Sequence, residues 1–294
     1  MSISVPALMG QLLIGLINGS FYALLSLGLA VIFGLLNIIN FTHGAQYMLG
    51  AFIAWFLLNS FGLGYWWALV LVPIALAVVG VLIERLMLKH LYKLDHLYGL
   101  LLTFGLALIL EGVFTHKFGS AGQPYSIPDK LTGGYNLGFM FLPTYRAWVI
   151  AASLVICLAT WFMIERTKLG SYLRAATENP AMVQAFGVNV PRMITLTYGF
   201  GVALAGLAGV FAAPIYQVSP QMGSSLIIVV FAVVVIGGMG SIMGAIVTGF
   251  GLGVIEGLTK VFFPEASNTV IFVIMALVLL IRPRGLMGEE GMLL

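Results

Sequence analysis

The sequence predicts an all-α, polytopic membrane protein with eight or nine transmembrane helices, some broken or re-entrant, in one domain over residues 1–294. Three observations predict it. Of the 294 residues, 61% are hydrophobic and 8% charged, whereas a typical globular chain is about 25% charged because its surface must meet water. Mean hydropathy is +1.09. No Asp, Glu, Lys or Arg precedes Glu84, so His43 is the one side chain of the first 83 residues that titrates near neutral pH. The net charge of +3 comes from scattered residues. Binding nucleic acid would need a concentrated basic face. Cys157 stands alone in an apolar run and cannot form an internal disulfide, so it reads as a small core hydrophobe. Met1 to Pro6 lacks the basic start and small-residue cleavage site of a secretory signal, so the first apolar segment is expected to stay in the mature protein.

A bilayer core about 30 Å thick takes about 20 apolar residues per helix. The first run, Leu8 to Leu36, exceeds one membrane thickness, and Asn37 to Gly44 then interrupts it with polar residues. Runs at 45–60 and 66–84 follow. Whether all three early runs cross, giving nine helices with the N-terminus outside, or one is re-entrant, giving eight, hydropathy leaves open. Beyond Glu84 the spans fall near 97–116, 147–164, 193–213, 224–243, 245–262 and 268–281, the last one short. Lys and Arg in short loops stay on the cytoplasmic side. With alternating helices, Arg85, Lys89, Lys93, Arg166, Lys168, Arg174, Arg192, Arg282 and Arg284 share one face, against Lys117, Lys130, Arg146 and Lys260. The richer face is the cytoplasm. The C-terminus is therefore expected inside, and the Gly/Pro/Tyr-rich stretch within 117–146 forms an external loop. Small residues four apart, such as Gly201, Ala205 and Gly209, or Gly249, Gly253 and Gly257, suit close helix packing in lipid.

Residues 165–192 are too long and too polar for a simple turn. Asn179 can cap a short helix whose first residue is Pro180, where a missing N–H does no harm. Gly187 can end that helix in the left-handed conformation. Met182, Val183 and Phe186 on it then call for an apolar partner surface, either the protein's own helices or another subunit. A second polar cluster is Asn37, Asn40, Thr42, His43 and Gln46. Broken helices at membrane depth line cavities or are buried in protein, so this cluster is either a substrate site or a polar turn between two spans. No second ligand at metal-binding spacing accompanies His43. Glu111 and Glu256 are the carboxylates placed within spans, where ionisable groups are functional candidates. Both lie toward external helix ends, and Glu256 stands four residues before Lys260, suited to an interfacial ion pair. The tryptophans lie near run ends as interface anchors.

Four ordered stretches resemble the permeases of bacterial ABC importers of the branched-chain amino acid (Liv) type. They are Asn18-Gly19-Ser20-Phe21-Tyr22-Ala23-Leu24 with Gly28 and Phe33 to Gly44; Gly170, Leu173-Arg174-Ala175, Glu178-Asn179-Pro180-Ala181 and Gly187-Val188-Asn189-Val190; Gly237-Gly238-Met239-Gly240-Ser241 with Gly244; and Ile281-Arg282-Pro283-Arg284-Gly285-Leu286. The second matches the cytoplasmic coupling loop, although Asn179-Pro180-Ala181 replaces the Glu-Ala-Ala of many importers. The resemblance implies a permease in the bacterial inner membrane with a cytoplasmic coupling helix, carrying branched-chain or related hydrophobic amino acids, with urea, amides or other amino acids as alternative cargo. It implies that Gly170, Leu173, Arg174, Ala175, Glu178, Asn179, Pro180, Ala181, Phe186 and Gly187 meet the ATPase. It further implies two ATP-binding subunits, a second homologous permease and an extracytoplasmic substrate-binding protein. No cofactor is expected on this chain. ATP and magnesium belong to the partners, since no Gly-x-x-x-x-Gly-Lys-Ser/Thr loop occurs here. A stand-alone secondary transporter or channel would need coupling carboxylates in the membrane, and only Glu111 and Glu256 are available. An intramembrane enzyme fares worse, with Cys157 lacking a nearby His, Asp95 and Asp129 in loops, and neither Gly-x-Ser-x-Gly nor His-Glu-x-x-His present.

Overall fold

The structure, a computed structural model, describes residues 5–36, 39–92 and 94–288. Each apolar run becomes a helix: α1 Val5–Leu36, α2 Thr42–Phe61, α3 Tyr65–Leu86, α4 His96–Phe118, α5 Thr144–Arg166, α8 Val190–Ala212, α9 Met222–Gly237, α10 Ile242–Phe262 and α11 Val270–Ile281. Between α5 and α8 lie two short helices, α6 Lys168–Glu178 and α7 Pro180–Ala185. Side-chain caps fix several starts by satisfying first-turn amides that have no partner within the helix. Asp95 accepts from the Leu97 amide at 2.8 Å, Asn189 from Arg192 at 3.0 Å and Ser241 from Gly244 at 3.1 Å. Ser241 also explains a shifted boundary. The break expected near residue 244 falls at 238–241, where α9 ends and the Ser241 cap begins α10. The expected irregular loop contains a small antiparallel hairpin, β1 Gly134–Asn136 with β2 Phe141–Pro143.

Six helices, α1, α3, α4, α5, α8 and α10, are long and apolar enough to cross a membrane, while α9 and α11 are apolar but shorter. Val70, Ile74, Val78 and Leu82 on α3 repeat every four residues and are all exposed. In water such a stripe would be an aggregation liability, and in hydrocarbon it is an ordinary outer surface. The all-α, polytopic membrane class holds.

The chain divides into two compact units. The first contains residues 1–27, 127–158 and 229–294. In it the start of α1 packs on α10 through glycines. A Cβ on Gly15 would come 2.4 Å from the Gly253 carbonyl oxygen, and one on Gly257 would come 2.4 Å from that of Gln11. The small-residue spacing on α10 is therefore a backbone-contact seam, which lipid-embedded helices need because burial against lipid gives no hydrophobic drive. The second unit contains residues 28–126 and 159–228. Its centre is α2, α3 and α8 in mutual contact, with Tyr47, Leu76, Tyr198 and Phe211 fully buried.

Candidate functional site

The second unit holds both segments that the sequence singles out. After α5, the chain turns back at Thr167 and α6 folds against the end it has just left. The approach is so close that a Cβ on Gly170 would sit 1.5 Å from the Ile164 carbonyl oxygen. One turn on, the Arg174 guanidinium donates to that same carbonyl at 3.3 Å and pairs with Glu165 at 3.3 Å. Carbonyls in the last turn of a helix have no partner of their own, and a cation there complements the helix dipole. Gly170 and Arg174 thus fasten α6 to α5 by shape and by charge.

Asn179 then caps α7, accepting from the Met182 amide at 3.0 Å, with Pro180 at the first helical position. Gly187 follows with φ +84°, and its N–H closes on Gln184 at 2.9 Å. The short capped helix and its glycine terminator agree with the sequence reading. Val183 does not face outward, because it is buried with Ala176 and Val190, joining α6, α7 and α8 in one small core. Leu173 is also buried, Ala175 half-buried, and Ala181 and Glu178 exposed. Outward lie Leu169, Tyr172, Met182 and Phe186, the last 81% exposed. Helix α6 went unread in the polar stretch, yet Leu169, Leu173 and Ala176 recur at helical spacing and could have marked it.

The described part of the polar cluster around the α1–α2 break is internal. Asn37 lies outside the described residues. Asn40, Thr42, His43 and Gln46 are all 0% exposed. Thr42 donates to the Thr103 carbonyl of α4 at 2.8 Å, and the Thr103 hydroxyl accepts from the Phe41 amide at 3.2 Å. Asn40 donates to Gln46 at 3.3 Å, and Gln46 to the Tyr198 hydroxyl of α8 at 3.4 Å. His43 packs against Gly28, where a Cβ would meet its ring at 3.0 Å. Polar groups at this depth call for partners within the protein; α4 and α8 supply them for Thr42, the Phe41 amide and Gln46, while the buried Asn40 Oδ1 and His43 Nδ1 accept or donate no hydrogen bond among the described residues. Thr103 and Tyr198, which complete the network, carry no mark in the sequence that separates them from other membrane threonines and tyrosines.

The neighbours of these residues, Phe41, Gly44, Ala45 and Met48, face the other way and line a pocket of about 60 Å³ shared with α4 and the start of α9. Glu111 of α4 is on its wall. Glu256, in the first unit, forms the expected pair with Lys260, but it is buried and also accepts from Tyr22 at 2.7 Å and Asn18 at 3.5 Å. It holds α1 to α10 rather than standing at an interface. Glu84 is buried as well, accepting from Tyr92 and Thr195, each at 2.7 Å. Burial first, and the bond to Glu84 second, push the Tyr92 phenol above its ordinary range, so it remains a donor. Cys157 is fully buried.

Comparison with known proteins gives one family match, described as branched-chain amino acid transport system / permease component, over residues 11–280. The chain is 31% identical to the high-affinity branched-chain amino acid transport system permease protein BraD of Pseudomonas aeruginosa, over 95% of each chain. It is 29% identical to the corresponding LivH protein of Escherichia coli K12, again over 95% of each. It is also 29% identical to LivM of Escherichia coli K12, over 90% of this chain and 67% of that one. No solved structure matches it.

Proposed function

The chain belongs to the branched-chain amino acid transport system permease family, and on that premise we propose that it is one of two membrane subunits of an ATP-driven importer carrying branched-chain amino acids inward. The observation that carries this reading is the α6–α7 segment. It is fastened to α5 by Gly170 and Arg174, while Leu169, Tyr172, Met182 and Phe186 are left without cover. A segment held rigidly on one side and bare on the other transmits movement from whatever docks on it. A pair of ATP-binding subunits, with ATP and magnesium, docks there. This chain performs no hydrolysis itself. A homologous permease completes the pore, and a soluble binding protein delivers cargo at the opposite face.

The nine apolar helices support the nine-span alternative, with 165–192 and the C-terminus in the cytoplasm and the β1–β2 hairpin outside. The α1–α2 break lies on the cargo path. There the buried Asn40, Thr42, His43 and Gln46 hold the shape of the break and their neighbours form its wall, in keeping with substrate sites built at unwound helices. The test is uptake of L-leucine into proteoliposomes holding the complete complex, with and without ATP. Uptake is expected only with ATP and only with the ATPase present. Full transport by this chain without any ATPase overturns the reading.

A further inference from the structure

Glu111 stands two-thirds of the way along α4, a helix apolar enough to cross a membrane. A carboxylate there is costly unless it faces a cavity or a partner. Among the described residues it forms no ion pair. Its one side-chain hydrogen-bond partner among the described residues is Ser224, whose hydroxyl lies 3.4 Å from Glu111 and 3.0 Å from the Gln221 carbonyl. That long contact, shared with the Gln221 carbonyl, is the one hydrogen bond the carboxylate receives among the described residues, and it leaves most of the carboxylate's acceptor capacity open.

What Glu111 does have is the pocket. Apart from Ser224 its walls are otherwise apolar: Met48 and Ile227 are buried, and Phe41 meets Phe104 edge-on with ring centroids 5.8 Å apart. A volume of about 60 Å³ has room for roughly four to six waters at about 10–15 Å³ each. That is the scale of a branched aliphatic side chain of three or four carbons. No Lys, Arg or His lines it, so it offers nothing to an acidic side chain, and Glu111 repels one.

We propose that this pocket is a cargo subsite, in which the apolar wall takes the aliphatic side chain of the amino acid and Glu111 accepts hydrogen bonds from its α-ammonium group. The inference rests on the branched-chain importer reading and adds the place where cargo is read inside the membrane. It also accounts for the polarity of the α1–α2 break. The buried residues Asn40 and Thr42 anchor the segment so that Phe41, Gly44, Ala45 and Met48 keep their positions as wall.

The test compares initial rates of L-leucine uptake by the reconstituted complete complex carrying wild-type chain, Glu111→Gln, Glu111→Asp or Ala107→Phe, each normalised to protein in the membrane. Glutamine keeps the size and loses the charge, whereas phenylalanine at Ala107, on the pocket wall, fills the space. Glu111→Gln is expected to lower the maximal rate by about tenfold or more, as befits loss of a hydrogen bond to a charged group, and Glu111→Asp is expected to recover part of it. Ala107→Phe is expected to lose a comparable factor. Wild-type rates in Glu111→Gln or in Ala107→Phe overturn the proposal. Failure of the wild-type complex to take up L-leucine overturns instead the importer reading beneath it.

Discussion

At the scale of single residues, Gly187 and Arg174 carry most of the geometry of the exposed segment, for different reasons. Gly187 has φ +84° and open space where a Cβ would go, so a substitution there meets backbone strain rather than a clash. A left-handed conformation costs an L-residue about 1–2 kcal/mol, enough to shift the end of a six-residue helix and the Phe186 side chain beside it. Arg174 is about half exposed, as is Glu165, so their pairing contributes little stability, on the order of 1 kcal/mol or less. Its value lies in holding the Ile164 carbonyl and hence the angle of α6. Gly187→Leu and Arg174→Ala are therefore expected to reach the membrane in normal amounts and to lose most ATP-driven uptake. Undiminished L-leucine uptake by Gly187→Leu sinks the assignment of this segment to coupling. The sequence announced Gly187, because a left-handed terminator is a local rule, and Arg174 only through the family resemblance, since its bond to the Ile164 carbonyl depends on how α6 folds back on α5. It could not announce Met48 or Ile227 as pocket wall, since one apolar residue in an apolar run looks like the next.

Elements show the same division between local and distant causes. Nine apolar runs became nine helices because hydrophobic length is a property of the segment itself. Helix α6 was missed because its many polar and charged residues masked a core stripe of only Gly170, Leu173 and Ala176, and the α9–α10 break was misplaced because hydropathy does not drop at Gly238. Glu256 was legible as a pair with Lys260, which is local, but not as the acceptor for Tyr22 and Asn18, more than 200 positions away. Helix α7 gives the element-scale test. Six residues cannot hold a helix alone in water, so α7 depends on its Asn179 cap and on Val183 in the small core with Ala176 and Val190. Removing the cap with Asn179→Ala should destabilise the turn by about 1 kcal/mol, while Asn179→Asp keeps the acceptor. Hydrogen exchange in the intact chain should then quicken across 180–186 in the alanine variant and stay near wild type in the aspartate variant. Equal protection in all three would mean that the core alone holds α7.

For the whole molecule the open arithmetic is how many times the chain crosses, and the uncharged first 83 residues give the positive-inside rule nothing to count. Helix lengths supply what charge does not. Helix α1 has 32 residues, about 48 Å at 1.5 Å per residue, and α2 has 20, about 30 Å; each is long enough to cross by itself. If α2 and the shorter α9 and α11 cross together with the six helices long and apolar enough to do so, nine crossings put the N-terminus on the face opposite the C-terminus. A single cysteine, Cys157, is fully buried, so Cys157→Ala gives a background free of thiol labelling with little change in the core. Single cysteines are then placed at Ser4, at Gly138 in the hairpin turn, at Phe186 and at Met287. A membrane-impermeant maleimide applied to intact cells is expected to label positions 4 and 138. The same reagent on inverted vesicles is expected to label 186 and 287. Labelling of 186 from outside would reverse the whole orientation and remove the ATPase from α6 and α7. Labelling of position 4 from inside, with the other three as expected, would leave the orientation standing and reduce the count to eight, with the α1–α2 pair making one crossing around its polar break.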